Sequence, residues 1–240
     1  MGVGIASKFA SCCATTIVLL ACGGSQTAGS SSTPTPTPIP SPQLGMAVLG
    51  DSIASGSSYG GRGSTGWPYL VAQQLGLRSL LCAQPGTGYT TGDPSGSGKA
   101  YTAGTRLNCV VESRPDIVIV EGSRNDDDGA KTEQAAIEVL GKLRKELPQA
   151  KFIVIGPFYL DKTDGGTTPV NEAVKAAAMS LGLTYVDTIK AGWFSGSARR
   201  FVADDGIHPT DEGHRYLASL VVPLVKGMLP AGYPVPTPSG

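Results

Sequence analysis

Apolar residues along the chain fall into two alternating patterns, short unbroken runs and longer stretches with helical spacing. Met46-Ala47-Val48-Leu49, Ile117-Val118-Ile119-Val120 and Phe152-Ile153-Val154-Ile155 are unbroken runs rich in branched aliphatic residues, and Leu183 to Val186 reads as a last short strand. Such runs read as strands buried on both faces. Between them, Trp67 to Leu75 has helical spacing and stops at Gly76. Thr132 to Leu147 places Ile137, Leu140, Leu143 and Leu147 near one face, with Pro148 as its stop. Thr168-Pro169 caps a helix running to Leu181 before Gly182, and Thr210 opens a last one that offers Leu217, Leu220, Val221, Leu224 and Met228 to the core. Arg114-Pro115-Asp116 leads into the second run, because proline keeps the residue before it out of the helical region. Continuous apolar strands separated by amphipathic helices predict an α/β fold with a parallel sheet covered on both faces. In such a sheet functional groups gather at the carboxyl ends of the strands.

The two ends of the chain depart from this pattern. Residues 1–21 carry one charge, Lys8, and an apolar run from Ala14 to Leu20 that is too short to span a bilayer. The run ends in Leu19-Leu20-Ala21-Cys22, which resembles a bacterial lipobox, where a signal peptide is cut before the cysteine and the thiol receives a diacylglycerol. An ordinary secretory signal and an uncleaved anchor are the alternatives. The resemblance implies an exported bacterial protein, lipid-anchored through Cys22 on the outer face of the cell membrane. Residues 22–43 continue as an uncharged Gly, Ser, Thr and Pro segment, expected to be an extended tether of about 3 Å per residue. Residues 230–240 have a similar composition and are expected to be loose. Residues 44–229 remain as one domain with a full core.

Lys+Arg and Asp+Glu are both 19, and no basic block stands out, so the chain lacks the electrostatic footprint of a nucleic-acid binder. Charge gives it no attraction to an acidic membrane surface either. With 40% hydrophobic and 16% charged residues and 33 glycines, the composition suits a compact domain with many tight loops. Of the five cysteines, Cys12 and Cys13 leave with the leader and Cys22 becomes the anchor. Cys82 and Cys109 remain as an even pair in an oxidising compartment. They form either a disulfide, stabilising by about 3 kcal/mol, or two buried free thiols.

Four segments carry chemistry. Gly50-Asp51-Ser52 follows the first strand directly, so its serine projects from a strand-to-loop turn. Asp205-Gly206-Ile207-His208 precedes the last helix, and an Asp three residues ahead of a His in a tight turn can orient the imidazole while its other nitrogen faces a serine. Gly122-Ser123-Arg124-Asn125-Asp126 ends the strand beginning at Ile117, and Gly86-Thr87-Gly88-Tyr89-Thr90 follows the segment around Leu80–Ala83. Each is weak alone. In this order, from Met46 to about Met228, they resemble the SGNH hydrolases, also called GDSL-type esterases.

That resemblance implies a three-layer α/β/α sandwich of flavodoxin-like type around a central parallel sheet, and hydrolysis of esters without a cofactor. Carried over, Ser52 is the nucleophile, His208 the base and Asp205 its orienting partner. The backbone N–H groups of Ser52 and Gly88 and the side-chain amide of Asn125 face the oxyanion. Ser123 stands where the family usually has glycine, and Ala83-Gln84-Pro85 stands where it usually has an asparagine, so Gly86 is the alternative donor to Gly88. Of the two histidines, His214 lies on the final helix and reads as structural. Asp126, Asp127 and Asp128 lack a His or Cys companion and read as a helix cap or solvated side chains, not as a metal site. Gly96-Ser97-Gly98-Lys99-Ala100 fails as a phosphate loop, since Asp93 and Ala100 occupy its required Gly and Ser/Thr positions.

The Gly/Ser-rich loop from Ser55 to Gly66 is expected to be mobile and to wall the site. Tyr59, Tyr89, Trp193 and Phe194 either offer flat surfaces to a sugar or acyl chain or pack the core. Arg62, Arg124, Arg199 and Arg200 either read an anionic group or are solvated. The tether points to an acylated glycan or lipid of the cell envelope as substrate; a monomer is expected. The same serine chemistry serves an acyltransferase, and the same fold an inactive envelope-binding lipoprotein.

Overall fold

The computed structural model describes residues 43–158 and 167–237. The leader, Cys22 and the tether up to Pro42 lie outside the described residues. Five strands form one parallel sheet in the order β2-β1-β3-β4-β5: β1 (Gly45–Leu49), β2 (Arg78–Leu81), β3 (Ile117–Glu121), β4 (Lys151–Ile155) and β5 (Thr184–Val186). β1 and β3 are buried at every position, which is why their apolar runs are continuous and do not alternate.

Successive side chains of each strand point to opposite faces and feed two separate cores. Met46 and Val48 of β1 pack with Ile117, Ile119, Ile153 and Ile155 against α2 (Trp67–Leu75) and α6 (Asp211–Lys226). Ala47 and Leu49 pack with Val118, Val120 and Val154 against α3 (Gly104–Glu112), α4 (Gly129–Glu146) and α5 (Thr167–Ser180). The result is the α/β/α sandwich expected. A short helix, α1 (Ser52–Ser55), follows β1 directly.

Several expectations need correction. Ile137 is 40% exposed; Leu140, Leu143 and Leu147 are buried as expected, and Ala136 and Val139 complete the face in its place. β2 is exposed at Arg78 and only partly buried after it, so its apolar signal is short, and α3 was not legible because its buried face includes Arg106 beside Leu107 and Val110. Cys82, just past β2, and Cys109 of α3 form a disulfide with Cα atoms 5.9 Å apart. Residues 230–237 are not loose: Tyr233 Oη donates to the Gly76 carbonyl at 2.9 Å, and Tyr233 and Val235 pack on the core that α2 and α6 share.

Candidate active site

The strand order reverses between β1 and β3, so the loops leaving these neighbours open a crevice at the sheet's carboxyl edge. Ser52 stands in it as the first residue of α1. The Asp51 side chain caps α1 by accepting from the Ile53 N–H at 2.8 Å. The loop before α6 brings His208 to the serine. His208 Nε2 lies 2.9 Å from Ser52 Oγ, across 156 residues of sequence, and Nδ1 lies 2.6 Å from Asp205 Oδ2. Asp205 Oδ1 also accepts the backbone N–H groups of Ile207 and His208, both at 2.9 Å. Burial alone would raise the Asp205 carboxyl, but these donors outweigh it and hold the group below its ordinary range. The carboxylate is therefore ionised, and it fixes the imidazole tautomer with a proton on Nδ1 and a lone pair facing Ser52.

The donors expected around the serine are arranged differently from the sequence expectation. The Gly88 N–H donates to the Thr91 carbonyl at 2.8 Å and is not free. Gly88 serves another purpose: a Cβ there would meet the Asp126 carboxylate at 2.5 Å. Asp126 is buried and accepts from the N–H groups of Tyr89, Thr90 and Thr91 and from the Thr90 hydroxyl, at 2.8 to 3.1 Å. It thereby clamps the β2–α3 loop to the β3 loop. The Asn125 amide donates to the Thr87 carbonyl at 2.8 Å and, more loosely, to Asp51 Oδ2 at 3.3 Å. Both neighbours are acceptors, which fixes the NH2 end toward them. No partner among the described residues accepts the Ser52 N–H. Gly86 turns at φ +67°, with its missing side chain directed toward Asp93.

Behind Ser52 lie two buried carboxyls. Burial pushes Asp51 up to about 6, against the opposing pull of the Ile53 N–H and Ser123. Glu121, at the end of β3, is driven well above its ordinary range, mainly by burial and then by Asp51, against a weaker pull from the Asp51 N–H. A Cβ on Gly50 would sit 2.6 Å from Glu121 Oε2, so only glycine fits that turn. A charged residue ending the most apolar strand is a signal that could have marked Glu121. Asp128 caps α4 through the Lys131 N–H at 3.1 Å, as one of the two readings of the acidic run had it. Among the described residues no cluster suited to a metal ion exists.

The loop from Ser55 to Gly66 is anchored, contrary to expectation. Asp211 Oδ1, at the start of α6, accepts from the Gly61 N–H at 2.8 Å and from the Thr65 hydroxyl at 3.0 Å. His214 accepts from the Trp67 N–H at 3.3 Å, packs against Gly61, and is held neutral by burial, its pKa lowered to about 4. Tyr59, 48% exposed at the tip of the loop, stacks on the His208 ring with centroids 6.0 Å apart and planes 11° from parallel. Tyr89, Trp193 and Phe194 belong to the cores.

A family model described as GDSL-like Lipase/Acylhydrolase matches residues 48–216. A GDSL lipase of Mycobacterium tuberculosis is 29% identical over 191 residues, spanning 75% of this chain and 80% of that one. Among solved structures, the lipase/acylhydrolase from Enterococcus faecalis superposes with a TM-score of 0.61 at 23% identity, covering 78% of this chain and 98% of that one. A carbohydrate esterase family 2 enzyme from Corynascus thermopiles superposes at 0.61 with 20% identity, covering 81% and 68%. Both superpositions speak for the fold. Since the family match runs from β1 into α6 and takes in every loop that meets at Ser52, the chain belongs to the GDSL-like lipase/acylhydrolase family and is an ester hydrolase.

Proposed function

We propose that the protein is a serine esterase working through Ser52, His208 and Asp205 and an acyl-enzyme, on acylated glycans or lipids of the cell envelope. The observation that carries the reading is the chain of two contacts, Ser52 Oγ to His208 Nε2 at 2.9 Å and Nδ1 to Asp205 at 2.6 Å. A serine hydroxyl attacks an ester only when its proton is taken as the bond forms, and the neutral imidazole is placed to take it. Asp205 stabilises the imidazolium that results. His208 then returns the proton to the departing alcohol, and a water molecule repeats the sequence on the acyl-enzyme. A protonated imidazole cannot start the reaction, so turnover falls in acid.

The tetrahedral intermediate needs N–H donors. The Ser52 N–H is one. The Asn125 hydrogen that now faces Asp51 at 3.3 Å is the weaker-held of its two and turns to the oxyanion once an acyl group arrives. Asn125→Ala is expected to lower kcat by two to three decades, about 3 kcal/mol, with a smaller change in KM.

The leaving alcohol must lie near His208 Nε2 to receive its proton, hence beside Tyr59. A half-exposed aromatic face there suits a sugar ring. The carbohydrate esterase with the same fold and the lipobox-like segment at Cys22 support an acylated envelope glycan and a lipid-anchored location on the outer face of the membrane. Turnover of p-nitrophenyl acetate by the mature protein, abolished by Ser52→Ala, tests the reaction. Activity that survives this substitution would end the reading. Tyr59→Ala is expected to raise KM for an acetylated sugar more than for a small aliphatic acetate.

A further inference from the structure

We propose that Arg106 is a positioning residue whose buried guanidinium holds the turn carrying Ser52 in register with the loop around Thr87. The inference rests on the reading of Ser52 as nucleophile. Arg106 is 1% exposed, on α3 behind the site. Its Nη2 donates to the carbonyls of Gly50 at 2.8 Å and Cys82 at 2.9 Å. Its Nη1 donates to the Lys99 carbonyl at 2.7 Å, the Thr87 hydroxyl at 3.0 Å and Gln84 Oε1 at 3.1 Å. One rigid fork thus joins the end of β1, the end of β2 and the loop between β2 and α3.

The bracing continues to the third loop of the site. The Thr87 carbonyl accepts from Ser123 Oγ at 3.0 Å and from the Asn125 amide. Fixing Thr87 therefore fixes the amide that turns toward the oxyanion. Gly50 lies two residues before Ser52, so a shift of its carbonyl moves the nucleophile against His208, which is supplied by the separate loop before α6.

Every one of the five partners is a neutral oxygen. Burying a cation among neutral groups is costly, and a fold that needed only packing at this place would use an apolar side chain. The Tyr101 ring, 5.0 Å from the guanidinium carbon, offsets part of that cost, and so does the buried Asp51 carboxyl next to Gly50. The Cys82–Cys109 disulfide ties α3, one turn after Arg106, to the strand end whose carbonyl Arg106 holds. The helix that carries the guanidinium is thereby locked to its target.

The test compares the rate of Ser52 labelling by a fluorophosphonate, kcat, KM and melting temperature in the wild type, Arg106→Lys and Leu107→Ala. Leu107→Ala empties the neighbouring core position and controls for stability alone. An ammonium cannot bridge five oxygens, so Arg106→Lys is expected to lose roughly tenfold to a hundredfold in labelling rate and kcat, with KM within about threefold. Leu107→Ala is expected to melt earlier while keeping kcat. Should Arg106→Lys not fold, the double variant Gln84→Leu/Thr87→Val, which removes two of the five partners, is expected to lower kcat at least about fivefold. Wild-type rates in whichever variant folds overturn the inference, as does an equal loss in Leu107→Ala. A wild type that is not labelled at Ser52 sinks the nucleophile reading itself and this inference with it.

Discussion

Two buried titratable residues give stability opposite dependences on pH. His214 is held neutral by burial, with its pKa lowered from 6.5 to about 4. Its contribution is complete above 6.5 and is lost as pH falls toward 4, because the unfolded chain takes up the proton first. His214→Asn keeps an acceptor for the Trp67 N–H and cannot titrate. Its urea midpoint is expected to fall less than that of the wild type across this window. Glu121 is raised by burial from its ordinary 4.5, so its contribution is present below that value and is lost as pH rises. Glu121→Gln is therefore expected to gain stability relative to the wild type as pH rises above 4.5, as read by urea denaturation. A constant difference across that range would contradict the neutral state assigned to Glu121. At the same scale, Gly88→Ala drives a Cβ into the Asp126 carboxylate at 2.5 Å. It is expected to lower both kcat and the melting temperature by displacing the clamp on Tyr89–Thr91.

At the scale of elements, the disulfide between β2 and α3 closes a loop of 27 residues. Chain-entropy reasoning puts its contribution at about 3 kcal/mol, and Cys109→Ser is expected to lower unfolding free energy by an amount of that order. What the sequence revealed follows from burial. β1, β3 and β4 are continuous apolar runs because helices cover both faces of the sheet, and they were legible for that reason. β2, at the edge and only partly buried, has a diluted signal. α3 hides because its buried face includes a charged residue, Arg106, whose partners are carbonyls distant in sequence. The same holds for the site. Ser52, His208 and Asp205 lie in short local motifs, which is why the sequence marks them as candidates. The commitments of Gly88, Asn125 and Asp126 depend on which loops the fold brings together, and no local spacing announces them.

For the molecule as a whole, the structure is a sheet whose reversal point carries the proposed chemistry, with both cores serving to hold its edge loops in place. The C-terminal segment contributes to that frame. Removing residues 230–240 uncovers Gly76 and the core between α2 and α6, and is expected to lower the melting temperature while leaving kcat for p-nitrophenyl acetate unchanged. The most direct test of the account is to quench the reaction with p-nitrophenyl acetate in its first turnover and map the acetyl group by peptide mass spectrometry. An adduct on the peptide carrying Ser52, present in the wild type and missing in Ser52→Ala and His208→Ala, is the predicted result. An adduct on another residue, or equal acetylation of Ser52 without His208, would contradict it.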